Sequence, residues 1–175
     1  MKLKRWHIVG AIVTLVLGTL LHFTFDWSGG NLFVGLFSAV NESVWEHLKL
    51  LAVPILLFAI IEYFAYGRAY DNFIPAKLLS VLAGMLTIVV FFYTYTGIIG
   101  EDFLAADISL FVLGTLVAWF VSYKLLKSGR LSSQNARIYG LLGLFVLVVV
   151  FIIFTFAPPQ LPPFQDPVSG TYGMI

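Results

Sequence analysis

The chain has 175 residues and a formal net charge of +1; 60% of it is hydrophobic, only 11% is charged, and it has no cysteine. A soluble domain is about half apolar and a quarter charged, so this balance, with a mean hydropathy of +0.97, lacks the residues for a water-facing surface and names the lipid bilayer as solvent. Disulfides, thiolate metal sites and a cysteine nucleophile are excluded, no nucleic-acid module is recognisable, and the length suits one helical bundle.

Met1 to Arg5 is a short basic start, followed by an apolar run from Trp6 to Phe25. Trp6 and Trp27 are separated by about 31 Å of helix, which matches the hydrocarbon thickness with an aromatic anchor at each interface. The run is too long for a signal-peptide core and no A-x-A site follows, so a retained helix is expected. A polar turn, Asp26 to Asn31, carries Gly29-Gly30 as breakers. Leu32 to Val40 is apolar but too short to cross, which predicts a re-entrant or interfacial helix. Ser43-Val44-Trp45-Glu46 has the form of a capping box, with Asn41 as a second candidate cap. A second span is expected from Ser43 to about Tyr66, with a kink at Pro54.

A polar connector, Tyr66 to Ala76, leads to a third span, Lys77 to Ile99. An acidic turn, Gly100-Glu101-Asp102, precedes a fourth, Phe103 to Tyr123. A basic loop, Lys124 to Arg137, precedes a fifth, Ile138 to Phe156. The last stretch is proline-rich; its prolines favour extended backbone, and Asp166-Pro167 and Ser169-Gly170 suggest turns. Phe164, Leu161, Tyr172, Met174 and Ile175 give this tail something to bury. With a cytoplasmic N-terminus and five crossings, nine of ten basic residues fall inside and only Lys49 outside, whereas seven of nine acids lie at the outer side. The expected fold is therefore all-α. Residues 1–157 form a five-span integral membrane bundle of the plasma membrane, and residues 158–175 an external tail folding back on the outer face.

Ionisable groups concentrate between His22 and Lys49, where the first hairpin meets the outer leaflet. His22 and Asp26 are four apart and share a helix face. They read either as an interfacial hydrogen-bonded pair or as a metal ligand (or proton-transfer group) oriented by an acid. Glu42 and Glu46, also four apart, read either as helix-start groups favoured by the cap and dipole or as paired carboxylates that call for a cation. His47, five positions from Glu42, points to another face on this register. Asp107, one turn into the fourth span, is the acid from elsewhere best placed to join. The candidate metal or polar site is thus His22, Asp26, Asn41, Glu42, Glu46, His47 and Asp107, with Trp27, Trp45, Asp166 and Tyr172 as lid or support. Tyr93, Thr94, Tyr95 and Thr96 form either hydrogen-bond donors to this site or an aromatic belt. Glu62, near the inner end of the second span, is expected to snorkel to the interface.

The signatures H-F-x-x-D-W and A-V-N-E-S-V-W-E-H-x-K near the start, and P-P-x-L-P-x-F-x-D-P-x-x-G-x-Y-G at the end, resemble a family of small bacterial multi-pass membrane proteins of unknown function. The likeness spans nearly the whole chain and implies no activity. A weaker likeness joins Asp26-Trp27, Asn31 and Glu42 to the calcium-binding opening of membrane alkaline ceramidases, which are zinc hydrolases. Here Ser28-Gly29-Gly30 stand where that family has a glutamate, and the late spans lack its histidines.

Three functions follow as expectations. The first is an outer-leaflet divalent-cation site serving ion handling or metal-dependent activity. The second is a non-catalytic membrane subunit whose polar cluster is structural and whose tail docks a protein partner. The third is an intramembrane hydrolase using paired carboxylates. The lipid bilayer is the common partner and a divalent metal ion the only cofactor considered.

Overall fold

A computed structural model describes residues 3–174; Met1 and Lys2 of the basic start, and Ile175 of the tail, lie outside the described residues. Five long helices make an all-α bundle: α1 (Leu3–Trp27), then, after a one-turn α2 (Leu32–Gly35), α3 (Val44–Ala65), α4 (Phe73–Ile99), α5 (Leu104–Ser128) and α6 (Gln134–Phe156). All five are long and apolar enough to cross a membrane. Even the shortest, with 22 residues, reaches about 33 Å at ~1.5 Å per residue. Two 3₁₀ turns, Gly67–Ala69 and Pro162–Phe164, sit in the connections. Among the described residues the only β pairing is an isolated antiparallel bridge between Gln165 and Tyr172.

The bundle inverts the usual inside–outside pattern. Ile12, Val16 and Leu20 project from α1 at 57%, 58% and 44% exposure, and α4 and α6 are similarly apolar outside. In water such faces would drive association; against acyl chains they are matched. Polar groups turn inward instead. Trp119 donates its indole N–H to Thr14 at 3.0 Å, and His7 meets the Ser122 hydroxyl at 3.1 Å. The apolar core runs through Leu51, Ile55, Val81, Met85 and Trp119.

Helix termini extend past the apolar runs. α4 begins in the connector, at Phe73, with Pro75 in its first turn, where no helical N–H is lost. α5 continues through Lys124 and Lys127, and α6 starts at Gln134 behind Ser133, whose hydroxyl accepts from Ala136 N–H at 3.2 Å. The expected re-entrant or interfacial helix over Leu32 to Val40 is a single turn, Leu32–Gly35. Asn31 caps it by accepting from the amides of Phe33 and Val34, and Leu32 and Phe33 are left exposed. The chain then folds back, with Ser38 buried against the end of α1; its hydroxyl donates to the Leu21 carbonyl and accepts from Phe25 N–H at 3.1 Å.

One expectation for a charged residue is corrected. Glu62 does not snorkel: it is fully buried, paired with Lys77 and accepting a hydrogen bond from the Tyr66 hydroxyl. Lys77 in turn lies 4.4 Å from the ring of Trp119. Lys49, the one base on the acidic side, is also fully buried, 2.5 Å from Glu46. Both lysines neutralise an acid within the bundle, because a buried charge needs a partner.

Candidate functional site

The capping segment positions the site. Ser43 takes the N-cap, its hydroxyl accepting from Glu46 N–H at 3.3 Å, while Asn41 Oδ1 accepts from Ser43 N–H at 3.0 Å. With the helix starting at Val44, Glu42 lies in the preceding loop and Glu46 on the first turn. Of the two readings of Glu42 and Glu46, the paired-carboxylate one is therefore not formed. Glu46 turns into the bundle, accepts from Val40 N–H at 3.1 Å and holds Lys49. Lys49 Nζ donates to the Gly35 carbonyl and to Thr155 Oγ1, both at 2.9 Å. This buried pair ties α3 to the hairpin loop and to the end of α6.

Glu42 turns the other way and meets both nearby histidines. His47 Nε2 stands 3.4 Å from Glu42 Oε2, His22 Nε2 is 3.7 Å from the same oxygen, and the two Nε2 atoms are 3.2 Å apart. The separation of Glu42 and His47 by five residues proved no obstacle, since Glu42 is not helical. This was readable in principle: an N-cap at Ser43 removes Glu42 from the helix register.

The protonation pattern around His47 is informative. Its Nδ1 is 2.9 Å from the Ser43 carbonyl, which can only accept, so Nδ1 carries a proton. In the neutral ring Nε2 then presents a lone pair to a carboxylate oxygen. That lone pair is relieved by a hydrogen bond from His22 Nε2, 3.2 Å away, by a second proton on His47 or by a bound cation. The hydrogen bond from His47 is the main influence holding the Glu42 carboxyl below its usual range. Burial opposes it, and the charges of His47 and His22 add to it.

The remaining expected residues divide. Asp107 lines the same cavity and accepts from the Tyr95 hydroxyl at 2.5 Å. Asp26 is exposed and, among the described residues, makes no hydrogen bond to His22, so it does not orient that ring. Asn41 acts on the tail, donating to the Gly173 carbonyl at 3.1 Å. Trp27 is 68% exposed and stacks on Phe23, apart from the cluster. Trp45 packs on Phe151, Phe154 and the tail's Phe164. Asp166 accepts from Val168 N–H and the Ser169 hydroxyl, organising a tail turn, and Tyr172 sits in the bridge to Gln165.

Beside the cluster lies a cavity of about 490 Å³. Leu50 of α3, Ile88 and Phe92 of α4, and Leu110 and Phe111 of α5 form its apolar wall. His22, Glu42, His47, Glu101, Asp102 and Asp107 supply its charged or ionisable groups, and Pro162, Gln165, Pro167 and Val168 of the tail border it. Its position among helix ends could not be read from local sequence.

These features define a class: an all-α bundle of five membrane-length helices with a two-histidine, one-carboxylate cluster opening on a cavity at one end. The chain belongs to a family of unknown function, DUF6512, whose profile matches residues 1–174. No curated protein and no solved structure matches it.

Proposed function

We propose that this is a multi-pass membrane protein in which His22, His47 and Glu42 hold a divalent transition metal, for ion handling or for metal-dependent activity on a membrane-associated substrate. The supporting observation is the spacing of the three donor atoms. Bonds of about 2.0–2.1 Å to a tetrahedral ion place its ligands roughly 3.3–3.4 Å apart, and the three separations here are 3.2, 3.4 and 3.7 Å. Two imidazoles and one carboxylate suit zinc or a similar first-row ion better than calcium or magnesium. His47 has the backing of a metal ligand, its other nitrogen donating to a backbone carbonyl.

Three protein ligands would leave a fourth position for water or substrate, and all three residues line the cavity. A metal-bound water there would be acidified enough to act as a nucleophile near neutrality. The distribution of lysine and arginine supports placing this end of the bundle outside the cytoplasm, with the tail.

Metal analysis of the purified full chain provides the test. About one zinc per chain is expected in the wild type, with loss of most of it in His22→Ala and in Glu42→Ala; negligible metal in all three rejects the reading. Affinity should also fall as the pH is lowered, because protons compete with the metal for imidazole nitrogen.

One observation favours a second reading. The His22–His47 contact lies within hydrogen-bond range, so the cluster is also satisfied as a metal-free network in a non-catalytic subunit. In that case His22→Ala lowers stability while the wild type carries no metal.

A further inference from the structure

We propose that the cavity beside the cluster binds an amphiphile with an apolar chain and a permanently cationic head, of the alkyl quaternary ammonium class, in preference to one with a phosphate head. The proposal deepens the metal-site reading, on which it rests for the identity of the site as a ligand pocket. It draws on different residues, those of the wall and the rim.

At about 490 Å³ the space falls in the usual range of small-molecule sites, roughly 300–1,000 Å³. Its two ends differ in chemistry. Leu50, Ile88, Phe92, Leu110 and Phe111 offer a continuous apolar surface for a chain. Glu42, Glu101, Asp102 and Asp107 supply four carboxylates, and among the described residues no lysine or arginine lines the cavity. The nearest base in sequence, Lys49, is fully buried and committed to Glu46, Gly35 and Thr155. A divalent ion at the cluster would cancel only two of the four negative charges.

Phosphate recognition normally relies on arginine, lysine or a free helix N-terminus. The start of α5 has no side-chain cap, but Asp102 and Asp107 already place negative charge there. A cation at the rim gains from the carboxylates, and Phe92 and Tyr93, which also line the cavity, are the aromatic rings available to it. A phosphate would be repelled, whatever its chain.

Equilibrium dialysis of the full chain in phosphatidylcholine nanodiscs, corrected against empty discs, tests this with three probes of equal chain length. These are dodecyltrimethylammonium, dodecanol and dodecyl phosphate. A quaternary head cannot coordinate a metal, so its binding reports the rim alone. The cation should bind at least about tenfold tighter than the phosphate, the scale of a Coulomb contribution from a few partly screened charges. The double variant Glu101→Gln/Asp102→Asn alters two exposed turn residues and should cut that preference several-fold with zinc content unchanged. Equal or tighter binding of dodecyl phosphate overturns the proposal, as does a preference that survives adding Asp107→Asn to the double variant. Zinc measured on the same samples separates the two readings. A cation preference without bound zinc rejects the metal site and keeps the amphiphile site. Bound zinc without a cation preference does the reverse.

Discussion

Lys49 and Glu46 form an ion pair buried inside the bundle. Neither reaches solvent: Glu46 Oε2 accepts from Val40 N–H while its Oε1 has no hydrogen-bond partner among the described residues, and Lys49 donates to the Gly35 carbonyl and the Thr155 hydroxyl. A buried pair adds little net stability over a well-packed apolar substitute, but removing one member strands the other. Lys49→Met should therefore destabilise the protein by about 3–5 kcal/mol, read as a shift in its detergent-unfolding curve. Glu46→Gln/Lys49→Met should recover much of that loss; a double variant no better than the single one would show that the pair is not the source. Glu62 and Lys77 invite the same pair of experiments. In the sequence Glu46 reads as a helix-start group or paired carboxylate and Glu62 as a snorkelling one. Their partners were not legible there, because each pairing depends on how the backbone leaves a turn.

At the level of elements, the helices meet where side chains are missing. A Cβ added to Gly84 of α4 would lie 2.8 Å from the Gly114 carbonyl of α5, and one added to Gly18 of α1 would lie 2.3 Å from the Leu50 carbonyl of α3. Backbone atoms cannot swing aside as a side-chain tip can. Without a hydrophobic drive between helices in lipid, such close approach supplies much of the association. Gly84→Leu should cost about 1–3 kcal/mol by overpacking, whereas Gly97→Leu, with open space around the added Cβ, should leave the unfolding midpoint nearly unchanged. Equal effects at the two positions would remove helix contact as the cause. The five spans were legible because their apolar runs have bilayer length. Their termini were less so, since α5 and α6 carry helix into the basic loop, where caps such as Ser133 decide the boundary.

For the whole molecule, the tail decides the shape of the cavity. Phe164 packs on Trp45 and Phe154, Met174 N–H donates to the Thr155 carbonyl at 2.7 Å, and Asn41 holds the Gly173 carbonyl. Gly173 has a φ of +68° and a Cβ there would lie 2.7 Å from Pro158. Gly173→Val should release the tail's end, seen as faster amide exchange over 160–174 with the bundle unaffected. Acid should act in the same direction. Burial raises the Asp166 carboxyl, but hydrogen bonds from Ser169 and the Val168 amide outweigh it, so the group ends below its ordinary value of 3.8. A depressed carboxyl stabilises above its ordinary value, and the contribution is lost as the pH falls through the lowered one. Glu42 follows the same rule from an ordinary value of 4.5, with His47, His22 and Asp166 around it. Tail exchange should thus be flat above about pH 5 and rise below about pH 4; a rise beginning near neutrality would point away from these carboxylates.

Five helices of membrane-crossing length and apolarity, and the crowding of ionisable groups near the first hairpin, were set by the sequence alone, because apolar length and charge cost are local properties of a chain. Which of those groups meet was decided by tertiary structure. The start of α3 at Val44 sends Glu42 to His22 and His47 and sends Glu46 inward to Lys49. Neighbours in sequence were thereby assigned to different environments, since a single turn of backbone reverses the direction a side chain faces.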